Sequence, residues 1–152
     1  MRKLVFLAPA QRYADFTLLL MRVFVGCFLV WSVWKNVTSL EQMHEYEEYL
    51  GEHGFSSPRL LAPVSVYLQL AVGICFVTGV FSRWAGLLCA IHFAVAIAMI
   101  DHSGGMRGIF PSGCLVVIGL YLATHGAGRF SIDAALGANE LPRVTGGVRL
   151  KK

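Results

Sequence analysis

The chain has 152 residues, of which 56% are hydrophobic and only 14% charged; an average soluble domain is about 25% charged. Its net charge of +4 lies mostly at the two ends, which fits membrane topology and argues against a nucleic-acid-binding surface. The length suits one domain, residues 1–152, and the pattern is all-α: an integral membrane four-helix bundle with a short amphipathic helix between spans one and two.

Residues 1–12 hold Arg2, Lys3 and Arg12 around a short apolar patch. The first span follows at about 15–34 and ends on Trp31 and Trp34, an interfacial aromatic belt. Arg12, Asp15 and Arg22 fall close to one helical face, so Asp15 is expected to help hold that end. The stretch 36–57 is polar. Ser39 with Gln42 reads as a capping box, Leu40, Met43, Tyr46 and Leu50 recur at helical spacing, and Gly51 and Gly54 stop the helix. Glu41, Glu45 and Glu48 face away from that apolar stripe.

The second span, about 59–81, is the clearest. Between Arg59 and Arg83 stand 23 uncharged residues, about 35 Å of helix against a hydrocarbon core of roughly 30 Å. Gln69 is its one amide and must find a partner. Ser82 and Arg83 alone are expected to join it to the third span, about 84–101, making an antiparallel pair. Gly86, Ala90, Ala94 and Ala98 form a small-residue stripe there, suited to close helix packing. A glycine-rich loop, 102–108, leads to the fourth span at about 109–125, with Pro111 in its first turn. Gly126 and Gly128 end it, and residues 129–152 form a polar, basic tail.

Four spans put both termini on one side. That side carries nine basic residues, Arg2, Lys3, Arg12, Arg83, Arg129, Arg143, Arg149, Lys151 and Lys152, against Lys35, Arg59 and Arg107 on the other. The positive-inside rule then places both termini in the cytoplasm of a bacterial-type plasma membrane.

Cys27, Cys75, Cys89 and Cys114 fall one per span without a C-x-x-C, so they read as small buried hydrophobes. His92 and His125 differ in depth, and no facing pair for a haem is evident. His44, His53, Asp101 and His102 share a side but match no metal-ligand spacing, so no metal is expected. Tyr121 and His125, four apart, read as an interfacial anchor.

The chain resembles the DoxX family of four-span membrane proteins. The matching pieces are LLLMRVFVG, WKNV, GFSSPRLLAPVSVYLQLAVGICFVTGVFSRWAGLL and GAGRFSIDAALG, over roughly residues 14–137. The last is the most specific and singles out Gly126, Gly128, Arg129, Ser131 and Asp133 as a structural motif. The resemblance implies a four-helix membrane bundle. It also implies association with quinone-linked sulfur oxidation or another membrane oxidoreductase complex, the role of some relatives. The family often carries a glutamate where Gln69 stands, so a proton-coupled role does not carry over to that position.

By helix rise, Arg22, Gln69 and His92 all lie near the midplane. Two readings stay open. In one, the three line a polar pocket for a quinone head group or another small polar ligand. In the other, they are interhelical glue, with Gln69 bonded to Arg22 or a backbone carbonyl. The expected function is a redox-associated membrane subunit, without catalytic cofactor chemistry of its own, that offers a lipid-accessible pocket or a docking face to a partner oxidoreductase subunit. The alternative is a structural or assembly protein, for instance a homo-oligomer, that does no chemistry. The expected partners include the lipid bilayer and exclude nucleic acid.

Overall fold

The structure is a computed structural model and describes residues 13–137. The amino-terminal basic cluster and the tail residues Arg143, Arg149, Lys151 and Lys152 lie outside the described residues. Among the described residues, six α-helices follow one another: α1 (Ala14–Thr38), α2 (Leu40–Glu52), α3 (Pro58–Thr78), α4 (Ser82–Met99), α5 (Gly105–His125) and a single turn, α6 (Ile132–Ala135). A 3-10 turn, Asp101–Gly104, joins α4 to α5.

Helices α1, α3, α4 and α5 are each long and apolar enough to cross a bilayer. Only 17–33% of each apolar window is buried inside the protein, so the outward faces, carrying Phe24, Trp31, Trp84, Phe110 and Val117, suit hydrocarbon rather than water. The chain is a multi-pass membrane protein in a lipid bilayer, built as a four-helix membrane bundle.

The spans pair as α1 with α3 and α4 with α5, and glycines set both crossings. A Cβ on Gly26 would stand 2.7 Å from the Gly73 carbonyl oxygen, and one on Gly86 would stand 2.5 Å from that of Gly119. The helix backbones therefore touch, which in lipid supplies dispersion contact where no hydrophobic driving force exists. Of the expected stripe on α4, Gly86 and Ala90 are buried at this crossing, while Ala94 and Ala98 are exposed. The stripe serves packing only where α5 runs close.

Three boundaries differ from the sequence reading. Helix α1 continues through Lys35–Thr38 because hydropathy marks where lipid ends, not where helix does. Helix α5 begins at Gly105, so the expected glycine loop is a 3-10 turn and a first helical turn. Gly108 lets that turn approach Asp101, whose carbonyl oxygen would lie 2.6 Å from an added Cβ. Pro111 accordingly sits inside α5 rather than in its first turn. The α3–α4 connection is not Ser82 and Arg83, which belong to α4, but residues 79–81. Gly79 (φ 75°) and Phe81 (φ 49°) both take the left-handed conformation there, which costs Phe81 roughly 1 kcal/mol.

The Ser39 side chain caps α2 by accepting from Gln42 N–H at 3.5 Å; Gln42 Nε2 donates onward to Glu45 Oε2 at 2.7 Å instead of closing the box. Met43 and Leu50 are buried with Val33, Ala62 and Val66. Leu40, expected in the apolar stripe, is 82% exposed. Helix α2 thus lies over one end of the α1–α3 pair, and α6 lies at the opposite end.

Candidate functional site

Arg22, Gln69 and His92 do not meet; each has its own neighbourhood. Arg22, in the third turn of α1, is 1% exposed. Its Nη1 donates to the Ala127 carbonyl at 2.7 Å and its Nη2 to the Phe130 carbonyl at 2.9 Å. Both acceptors stand just after α5, in the GAGRFSID stretch. Gln69 Nε2 donates to Ser32 Oγ at 2.6 Å, and Ser32 Oγ donates to the Leu29 carbonyl at 2.8 Å, so this amide ties α3 to α1. The Arg22–Gln69 bond weighed from the sequence is not formed.

The GAGRFSID element is a clasp at the α6 end. Gly126 (φ 85°) stops α5, and Gly128 (φ 76°) turns the chain over Leu18 and Asp15. Arg129 N–H donates to Asp15 Oδ1 at 3.5 Å, which gives Asp15 its expected holding role through backbone. The Arg129 side chain is exposed. Ser131 Oγ donates to the Gly128 carbonyl and accepts from Ala134 N–H, opening α6.

Asp133 then reaches across 51 residues. Its Oδ1 accepts from Phe81 N–H at 2.9 Å and its Oδ2 from Ser82 N–H at 3.0 Å, while its own N–H donates to the Gly79 carbonyl at 3.1 Å. Phe81 has no capping side chain of its own, so Asp133 supplies the cap from afar and places a negative charge at the helix N-terminus. Gly79 is also where the guanidinium fits: a Cβ there would stand 2.6 Å from Arg22 Nη1. Arg22 and Asp133 therefore hold α1, the α3–α4 turn and the end of α5 together. Both Arg22 Nη nitrogens and both Asp133 carboxylate oxygens bond to backbone, while Arg22 Nε is buried without a partner among the described residues.

His92 is different. Its ring meets Phe93 edge to face at 5.0 Å, and neither ring nitrogen has a hydrogen-bond partner among the described residues. It lines a cavity of about 150 Å³ between α2, α3 and α4, at the α2 end of the bundle. Leu61, Leu68 and Phe55 form apolar wall. Tyr46 Oη and Ser65 Oγ, 3.1 Å apart, form the second polar feature. An imidazole carries one donor and one acceptor when neutral, so this group can meet either a carbonyl or a hydroxyl. Sequence reasoning placed Tyr46 in the apolar stripe of α2 without a site role and passed over Ser65; the available signal was Ser65 four residues before Gln69, on the same apolar helix.

Elsewhere, the four cysteines are free, with Cys27 and Cys114 exposed and Cys89 buried. Tyr121 and His125 stack at 5.0 Å, as their spacing suggests. No three His, Cys, Asp or Glu side chains converge among the described residues.

No curated protein and no solved structure matches the chain. The sequence model of the DoxX family matches residues 17–102, a segment holding three of the four spans and α2. Together with the all-helical four-span fold, a match over more than half its length makes this chain a member of the DoxX family.

Proposed function

We propose that the protein is a single-domain subunit of a membrane redox complex that holds the head group of a lipid-soluble quinone in the His92 cavity. A partner oxidoreductase subunit carries the electron chemistry, and this chain supplies binding and position. The supporting observation is the His92 imidazole, which lines a cavity inside a membrane span and has no hydrogen-bond partner among the described residues, since a polar group left unsatisfied there is costly. Arg22 and Gln69 are left out because neither lines the cavity, and because both Arg22 Nη nitrogens and Gln69 Nε2 already donate within the protein, with only Arg22 Nε buried without a partner among the described residues.

The test is the ligand-induced change in melting temperature of the purified full chain. Unsubstituted 1,4-benzoquinone is the probe, on a background whose four cysteines are changed to alanine so that no thiol adds to the ring, and this background is the wild-type reference of the test. Saturation is expected to raise the wild-type melting temperature by about 2 °C or more and to leave His92→Phe unmoved. An equal shift in both proteins, or none in wild type, would remove the cavity from the reading.

A second reading has its own support: the Arg22 Nη nitrogens, the Asp133 carboxylate and Gln69 Nε2 all bond within the protein. In that case the protein is a structural or assembly component, alone or as a homo-oligomer, and purifies ligand-free without a quinone response.

The location we infer is a bacterial-type plasma membrane with both termini cytoplasmic, from nine basic residues on that side against three. In a chain whose native cysteines are changed to alanine, an impermeant thiol reagent outside intact cells is expected to label Glu48→Cys and not Leu136→Cys; both positions are exposed. The reverse pattern would invert the orientation.

A further inference from the structure

We propose that the His92 cavity selects a neutral ligand with one six-membered ring, admitted sideways from the bilayer between Val64 and Val95, with the Tyr46–Ser65 hydroxyl pair as its second polar contact. This rests on the cavity being a binding site, and it adds the class of head group and the route.

Size comes first. The cavity is about 150 Å³, the volume at which an apolar protein cavity takes up a molecule such as benzene. A second fused ring has no room without displacing wall residues, and close-packed interiors resist that. Charge comes next. No Lys, Arg, Asp or Glu lines the cavity, so a cation would be buried unpaired and an anion would need His92 to be protonated inside the span; a neutral ligand avoids both costs. The polar groups then define what the ring carries. Of the two hydroxyl hydrogens of Tyr46 and Ser65, one is used between them at 3.1 Å, which leaves the other free to donate and lone pairs free to accept. His92 offers the same choice. Each pole therefore serves a ring oxygen as carbonyl or as hydroxyl.

The route follows from exposure. Val64 on α3 and Val95 on α4 both line the cavity, and they are 54% and 47% exposed. In a membrane that exposure is to lipid. The α2 side is closed by Leu50, which is 3% exposed, and by Tyr46 held to Ser65. A ring can thus sit in the cavity while an attached apolar chain trails into hydrocarbon.

The experiment compares 4-methylphenol, with one ring, and 2-naphthol, with two, as melting-temperature probes on the full chain in lipid nanodiscs. The quantity read is the shift in wild type minus that in Ala96→Leu, which fills the cavity and so subtracts general partitioning into lipid. The expected result is a site-dependent shift for 4-methylphenol and none for 2-naphthol. Val64→Trp should abolish the shift by blocking the opening, whereas Val117→Trp, exposed on α5 and not lining the cavity, should keep it. Tyr46→Phe should weaken binding by about fivefold, the loss of one hydrogen bond.

A site-dependent shift for 2-naphthol as large as that for 4-methylphenol would overturn the size rule and leave the quinone reading standing. A 4-methylphenol shift identical in wild type, Ala96→Leu and Val64→Trp would overturn the site and the route. A site-dependent 4-methylphenol response without a benzoquinone response upholds this inference while the redox reading falls.

Discussion

Arg22→Leu is expected to lose most of the folded protein recovered from the membrane. The substitution leaves the Ala127 and Phe130 carbonyls without their donors, and a buried unsatisfied acceptor costs about 1–3 kcal/mol. Some of that is returned because a buried guanidinium no longer has to be desolvated. A net loss of about 3 kcal/mol is a large share of a stability that is about 5–15 kcal/mol in soluble domains. Arg22→Lys keeps the charge but presents one point donor where the guanidinium reaches two carbonyls, so it should fall between wild type and leucine. Asp133→Ala is the companion variant. It removes the cap on α4, with an expected loss of about 1–2 kcal/mol. Melting temperature and the monodisperse fraction after mild extraction report both. Full recovery of Arg22→Leu, with an unchanged melting temperature, would contradict the clasp.

Gly86→Leu is expected to be nearly as damaging, by a different route. The first side-chain atom already meets the Gly119 carbonyl oxygen at 2.5 Å and the Ala123 nitrogen at 2.8 Å. These are backbone atoms, so no rotamer change relieves the contact, and α4 and α5 must part. Overpacking typically costs about 1–3 kcal/mol, and with helix backbone as the obstacle the upper end applies. Gly113→Ala is the control on the same α4–α5 pair. Nothing lies within 4 Å of its added Cβ, and alanine is about 1 kcal/mol better than glycine inside a helix, so that variant should melt higher than wild type. If the two glycine variants behaved alike, the crossing would not be set by Gly86.

The four spans were legible because a bilayer imposes one demand, about twenty apolar residues in a row, and the sequence writes that demand directly. The helix ends were less so. Lys35–Thr38 and Gly105–Gly108 continue helices beyond the apolar runs, where hydropathy is silent and local hydrogen bonding decides. The GAGRFSID glycines were readable as a helix stop because positive φ needs glycine. What the motif grips was not readable: Arg22 bonds to carbonyls 105 and 108 residues away, and a backbone acceptor has no residue type to betray it. Depth put Arg22, Gln69 and His92 at one level, yet each turned to a different neighbour, since helix rise gives height and not azimuth. For the same reason the meeting of Tyr46 with Ser65 beside His92 was not readable.

The long-range cap on α4 bears on the order of events at the ribosome. The third span reaches the membrane with Phe81 and Ser82 N–H groups facing the place where Asp133 belongs, and their partner is then not yet translated. Arg22 has been made earlier still and waits longer, since both of its acceptors follow the last span. A nascent chain therefore holds a guanidinium without its carbonyl acceptors and an open helix end until its final span and the following few residues are complete. Closure is a late, single event that couples the first span to the last, and a chain halted before residue 133 carries exposed polar groups that cellular proteolysis can read as unfinished.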